Sequence, residues 1–201
     1  MIVSESRISF DFGPNYTDVV KYDSTPYYLN LFSAQEHCKG VDFIALSNAQ
    51  LLLIEVKNCF GNEADNRWRI ANNNAKSETI PTGHDITDRD SLDVEVAEKI
   101  RMTIAALTGV HTAPNPASQL IDCKTYANAL CSEDIGNGRI KLVALLVLDG
   151  NFGCKTRDDN MIRKEIQKSI KKKLKWLNCE VLVVDSNALT SARMGVSAHR
   201  V

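Results

Sequence analysis

The chain has 201 residues, with 24 Lys and Arg against 25 Asp and Glu and a formal net charge of −1. That length suits one domain with a full hydrophobic core, taken as a single unit over 1–201. The near-neutral balance says nothing in favour of a general polyanion binder, so any nucleic-acid contact has to come from local clustering of cations. No apolar run is long enough to cross a membrane, the longest being Leu142 to Leu148. The opening Met-Ile-Val-Ser-Glu-Ser-Arg lacks the basic and apolar regions of a signal peptide. The six cysteines are scattered and form no Cys-x-x-Cys pair, which argues against zinc and a disulfide framework. They read as reduced thiols of a cytoplasmic protein.

In chain order, Ile8, Phe10 and Phe12 alternate with Ser9 and Asp11, a half-buried strand that stops at Gly13-Pro14. Thr17 to Tyr22 reads as a helical turn. Ser24-Thr25-Pro26 then starts a helix, with a capping hydroxyl and a proline in the first position. It is expected to run through Tyr28, Leu31 and Phe32 to Glu36 or His37, ending at Lys39-Gly40.

Next comes the stretch around which the chain is organised. Val41 to Leu46 and Leu51 to Asn58 read as two apolar strands joined by Ser47-Asn48-Ala49-Gln50. Either even loop length pairs Leu46 with Leu51 and Ile44 with Leu53, which brings Asp42 opposite Glu55. Lys57 lies two residues beyond Glu55 and shares its face. Two facing carboxylates repel unless one is protonated or a cation joins them. Hard oxygen ligands suit Mg²⁺ or Mn²⁺, and a lysine beside such an ion can hold a phosphate oxygen or help orient and deprotonate a water.

A polar insertion of about 59–89 follows, interrupted by Asn66-Arg67-Trp68-Arg69-Ile70, which reads as a third strand extending the sheet. Arg67, Arg69 and the run Asn72-Asn73-Asn74 are candidates for phosphate or base contacts. Asp90 or Ser91 caps a helix whose apolar stripe is Leu92, Val96, Ile100, Ile104 and Leu107, with Glu95 and Lys99 as a surface pair and Gly109 as its end. A helix over Ser118 to Leu130 is expected among irregular residues. Arg139 to Leu148 reads as a central strand covered on both faces. A long helix from about Asp159 and a strand over Val181 to Val184 complete a crossover between parallel strands. The long helix carries Arg163, Lys164, Lys168, Lys171, Lys172, Lys173 and Lys175, read either as a ridge for nucleic acid or as a solvated face. From Ser186 to Val201 a short closing helix is expected.

Asp42, followed after twelve residues by Glu55-Val56-Lys57, resembles the signature of the PD-(D/E)XK nuclease superfamily, although Val41 stands where the naming proline would be. The order Glu-Val-Lys-Asn-x-x-Gly followed by a Trp is similar to the NERD and Mrr-like branch, without that branch's helical glutamine. The resemblance implies a restriction-endonuclease-like α/β fold, a mixed β-sheet flanked by helices on both faces. It implies an Mg²⁺- or Mn²⁺-dependent endonuclease acting on nucleic acid, double-stranded DNA foremost, often as a homodimer. Asp42, Glu55 and Lys57 would be catalytic. Asp42, Glu55, the Val56 carbonyl and an acid on the preceding helix, Glu36, would ligate the metal, with Glu98 as another acid near the site. Arg67, Arg69, Lys171 and Lys172 would contact nucleic acid. Two other readings stay open: an inactive nuclease-fold protein that binds nucleic acid or a protein partner, and an unrelated α/β enzyme in which Asp42, Glu55 and Lys57 form a buried ion network.

Overall fold

The computed structural model describes residues 1–70, 91–114, 120–155, 157–192 and 194–201. Asn72-Asn73-Asn74 and most of the expected polar insertion lie outside the described residues, as do Asp90 and Ser118. The chain is a mixed α/β protein. Its strands are β1 (Ile2–Glu5), β2 (Ile8–Phe12), β3 (Tyr16–Lys21), β4 (Phe43–Ser47), β5 (Gln50–Asn58), β6 (Lys141–Asp149), β7 (Cys179–Val184) and β8 (Val196–Arg200). Its helices are α1 (Glu63–Ile70), α2 (Leu92–Thr112), α3 (Ile121–Leu130), α4 (Glu133–Gly136), α5 (Asp159–Lys173) and α6 (Ser186–Ser191).

Among the described residues the strands form a five-stranded sheet in the order β3-β4-β5-β6-β7 and a three-stranded sheet in the order β1-β2-β8. β3, β4 and β5 are an antiparallel meander, and β5, β6 and β7 run parallel. β5 and β6 lie in the middle, buried on both faces, which is why each is a nearly unbroken apolar run. The hairpin register is the one expected, Leu46 with Leu51 and Ile44 with Leu53. Ser47 sets it locally: its hydroxyl oxygen accepts the N–H groups of Ala49 at 3.3 Å and Gln50 at 3.1 Å.

The two faces of the large sheet are covered differently. Ile44, Leu51, Leu53, Leu146 and Val183 pack with Ile100 and Leu107 of α2, Cys123 and Tyr126 of α3, and Ile162, Ile166 and Ile170 of α5. Phe43, Leu52, Ile54, Leu145 and Val147 pack instead against Ile8, Phe10 and Phe12 of β2, Val196 and Ala198 of β8, and Leu189 of α6. Each such side chain, fully buried, contributes about 1.5–3 kcal/mol. Helices lie on both faces, though very unequally. One face carries the long helices, and the other carries the small sheet with a single short helix.

Several local expectations are corrected. Thr17 to Tyr22 is not helical: residues 16–21 are strand β3, whose Val19 and Val20 pair with Ala45 and Ile44. The helix expected from Ser24 to His37 is shorter: after a 3₁₀ turn, Tyr22–Ser24, the chain is helical over 26–32, with Tyr28–Phe32 in a π-helical turn. Thr25 caps as foreseen, accepting the Tyr28 N–H at 3.2 Å. The rings of Tyr27, Tyr28 and Phe32 then pack together, Tyr28 also against Tyr22, and His37 takes a left-handed φ of 61° that no helix tolerates. Gly40 is required here, since a Cβ would lie 2.5 Å from the Tyr22 ring.

Asn66 to Ile70 belongs to α1 rather than to a third strand of the sheet. Five residues are too few for periodicity to separate the two, and buried Trp68 satisfies either. α2 continues past Gly109 to Thr112, where Val110 is buried and the Thr112 hydroxyl donates to the Thr108 carbonyl at 3.1 Å. Beyond α6 the tail forms β8, which pairs with β2. Among the described residues no helix is long and apolar enough to cross a membrane.

Candidate functional site

Asp42 stands immediately before β4, where regular pairing with β5 ends at Phe43 and Ile54. Its N–H donates to the Ile54 carbonyl at 3.0 Å, and its own carbonyl accepts the Tyr22 N–H at 2.8 Å. Its side chain then extends the ladder by one rung, Oδ2 accepting the Val56 N–H at 2.7 Å. One residue earlier, the Val41 N–H donates to the Thr103 hydroxyl of α2 at 3.1 Å. Asp42 is thus held from the strand side and from the helix side.

Glu55 and Lys57 alternate with apolar residues along β5 and share the face of Leu53, toward α2. Glu55 is 0 % exposed. Its Oε1 meets two ammonium groups, Lys57 Nζ at 2.9 Å and Lys99 Nζ at 2.7 Å. Its Oε2 is buried and has no hydrogen-bond partner among the described residues. Lys99 Nζ also lies 3.9 Å from Asp42 Oδ1, so it touches both carboxylates. Lys57 reaches on to Glu95 Oε1 of α2 at 3.0 Å, and Glu95 is paired in turn with Arg69 of α1.

This crowding moves the titrations. Burial, and then repulsion from Glu55, push Asp42 up from 3.8 to about 7. Burial works against the Lys57 ammonium, yet Glu55 and Glu95 outweigh it and hold its pKa above the ordinary lysine value. Glu95 is held below its ordinary value, because Lys57 and Arg69 outweigh its burial. Lys57 is therefore an enduring cation and Asp42 a carboxylate poised near neutrality.

The protein donors available to a metal are Asp42, the free Glu55 oxygen and the Val56 carbonyl. In an extended strand a residue's C=O points to the side of its own N–H, and for Val56 that is the side where β4 has ended. Among the described residues no cluster of three or more His, Cys, Asp or Glu could hold an ion. Two carboxylates with waters are nonetheless the usual protein share for Mg²⁺. An orphaned buried carboxylate oxygen beside a second carboxylate fits that role.

Residues 25–196 match a family of unknown function, DUF6661. The chain belongs to this family. No curated protein and no solved structure matches it. The span shared with DUF6661 contains Asp42, Glu55, Lys57, Glu95 and Lys99, and omits β1 to β3.

Of the other residues singled out in this DUF6661 chain, Glu36 and Glu98 stay outside the cluster, Arg69 joins it through Glu95, and Arg67, Lys171 and Lys172 lie apart from it. Glu36 is exposed in a turn, with no hydrogen bond or ion pair among the described residues, because the helix meant to carry it stops four residues earlier. Glu98 pairs with Arg101 at 3.8 Å on the outer side of α2. Arg67 donates to the Phe152 carbonyl at 3.2 Å, and Arg69 is committed to Glu95. On α5, Arg163 pairs with Asp185 at 2.8 Å and Lys173 with Asp93 at 2.6 Å, while Lys171 and Lys172 are exposed. The expected surface pair of Glu95 and Lys99 is also corrected, since both turn inward to different partners. Lys99 was the residue sequence reasoning missed. Its signal was a charge within the stripe Leu92, Val96, Lys99, Thr103, Ala106, Val110, of which the other members are all buried.

Proposed function

We propose that the chain is a metal-dependent phosphodiesterase acting on nucleic acid, of the PD-(D/E)XK kind, with Asp42, Glu55 and Lys57 at its centre. The observation that carries this reading is the unpartnered, buried Glu55 Oε2 beside Asp42, on the face shared with Lys57. The meander followed by two parallel strands supports a restriction-endonuclease-like scaffold for it.

In this reading Asp42, Glu55 and the Val56 carbonyl hold Mg²⁺ or Mn²⁺. The ion supplies Lewis-acid stabilisation of the scissile phosphate and lowers the pKa of bound water. Lys57, kept protonated by Glu55 and Glu95, serves as an electrostatic clamp on a phosphate oxygen rather than as a base. Asp42 must lose its proton to act as a ligand, which its value of about 7 places within reach of neutral pH. Double-stranded DNA is the proposed substrate, with exposed Lys171 and Lys172 as contacts outside the cluster, and assembly as a homodimer belongs to the same proposal.

One observation favours a second reading, an inactive relative that binds without cutting. Glu55 and Glu95 are already paired within the fold with Lys57, Lys99 and Arg69. One assay separates the two: supercoiled plasmid, single-stranded DNA and RNA, each incubated in Mg²⁺, in Mn²⁺ and in chelator. The enzyme predicts cleavage that requires metal and disappears in Asp42→Asn and Lys57→Ala. Intact substrate under every condition, with binding retained, establishes the inactive relative.

A further inference from the structure

We propose that Lys99 is the resident counter-cation of the Asp42–Glu55 pair, and that a divalent metal enters this site by exchange with its ammonium. The inference rests on the metal-site reading above and adds to it how the site is kept closed. Lys99 Nζ is 2.7 Å from Glu55 Oε1 and 3.9 Å from Asp42 Oδ1, the position of a bridge between two carboxylates. Lys57 cannot take that place, because its second partner is Glu95 on the other side.

An ion held by Asp42 and the free Glu55 oxygen would share the Glu55 carboxylate with Lys99, whose Nζ is 2.7 Å from the other oxygen, and would lie beside the ammonium. Two cations so close in a water-poor setting repel strongly, so occupancy by one excludes the other. The charges agree. With Asp42 ionised, as a ligand must be, Asp42, Glu55 and Glu95 face Lys57, Lys99 and Arg69, three carboxylates against three cations, so the cluster is then neutral with Lys99 in place. A divalent ion admitted beside Lys99 would leave two positive charges in excess, whereas exchange leaves one.

The fold permits that exchange without opening. Lys99 has a flexible four-carbon stem, its side chain is 15 % exposed, and the ammonium can swing toward water while the stem stays packed. α2 itself is pinned one turn later, where the Thr103 hydroxyl accepts the Val41 N–H at 3.1 Å. The side chain moves and the helix does not. Lys99 is thus a positioning residue: it holds the two carboxylates at ligand spacing and sets a threshold for metal entry.

The test is a calorimetric titration of the full chain with Mn²⁺, comparing wild type with Lys99→Gln, Lys99→Met and Lys99→Arg. Exchange predicts binding at least about tenfold tighter in the two neutral variants, and wild-type affinity in Lys99→Arg. Melting in chelator and in Mn²⁺ gives a second readout that a merely structural role would not move. The neutral variants should melt below wild type in chelator and gain more from Mn²⁺ than wild type does. Equal affinities in wild type and both neutral variants overturn the exchange while leaving the metal site standing. Absence of Mn²⁺ binding in every folded chain overturns the metal-site reading itself and the exchange with it.

Discussion

Glu55 and Asp149 are buried carboxylates on neighbouring parallel strands, and the protein completes them in opposite ways. Asp149 is 3 % exposed, and both its oxygens are spoken for: Oδ1 accepts the Ser186 N–H and Oδ2 the Ser186 hydroxyl, each at 2.8 Å. Arg200 of β8 adds its charge at 3.6 Å. Around it lies a cleft of about 110 Å³ at the carboxyl ends of β6 and β7, where a ligand would be sought in an open parallel sheet. Yet its other charges are also matched within the chain, Arg163 with Asp185 and the Phe152 N–H with Asp159. That end is a joint that fastens α6 and β8 to the sheet. At Glu55 one oxygen has two lysines and the other has no partner among the described residues. Burial does not distinguish the two carboxylates; the unsatisfied oxygen does.

The largest way to break this contrast is catalytic. Asp42→Asn or Lys57→Ala is expected to lower metal-dependent cleavage of plasmid by about a thousandfold, the scale of removing one preorganised charge from a transition state. Asp149→Asn should leave the rate per folded molecule within about twofold, since Asn still accepts from the Ser186 N–H. Cleavage rates on folded fractions check both, and comparable losses on the two sides would erase the distinction.

Stability should run the other way. Asp149→Ala orphans the Ser186 N–H and hydroxyl and leaves Arg200 without its carboxylate, a loss of about 2–4 kcal/mol. Asp42→Asn keeps an acceptor for the Val56 N–H and removes both the buried charge and its repulsion from Glu55, so at neutral pH it should be at least as stable as wild type, by at most about 4 kcal/mol. Urea unfolding of the two variants at neutral pH measures the difference. A loss in Asp42→Asn as large as that in Asp149→Ala would make both carboxylates joints.

The legibility of these regions differs for a physical reason. The hairpin could be placed because an apolar face fixes register, and a one-residue slip would have turned Leu53 and Ile44 out of the core. Asp42, Glu55 and Lys57 stood out as charges in an otherwise apolar stretch. Lys99 is the same anomaly on a helix, hidden because its buried seam contains Thr103 and Ala106, which carry little hydrophobic signal. Ile104, chosen for the apolar stripe, is only half-buried. The joint was illegible for another reason. β8 pairs with β2 from the opposite end of the chain, and no local turn chemistry announces such a contact. The tail therefore looked like a short closing helix and nothing more.

Titration sharpens the contrast further. Asp42 is raised from 3.8 to about 7 by burial and by Glu55, so the native chain holds a proton that the unfolded chain releases. Its contribution to stability is full below about pH 4, declines as pH rises to about 7, and is constant above that. The decline amounts to at most about 4 kcal/mol. Glu95 and Asp93, both lowered, act in the opposite sense and lose their contribution only as pH falls below the ordinary carboxylate range. Unfolding free energies between pH 4 and pH 8 should therefore fall with pH in wild type and flatten in Asp42→Asn. A profile unchanged by that substitution would show Asp42 ionised throughout.

The smallest effect tests how the site is held rather than what it does. Thr103 is 0 % exposed, and its hydroxyl is the acceptor for the Val41 N–H, one residue before Asp42 and one turn after Lys99. Thr103→Val keeps the shape and leaves that buried N–H without its partner, a cost of about 1–3 kcal/mol. Thr103→Ser keeps the hydroxyl and loses only a methyl, about 1 kcal/mol. The informative quantity is Mn²⁺ affinity beside stability. If α2 positions Asp42 through Val41, Thr103→Val weakens metal binding severalfold and Thr103→Ser restores it, although neither residue touches the ion. If both variants lose stability and keep wild-type affinity, β4 and β5 alone position the two carboxylates, and the hairpin is self-sufficient as the frame of the site.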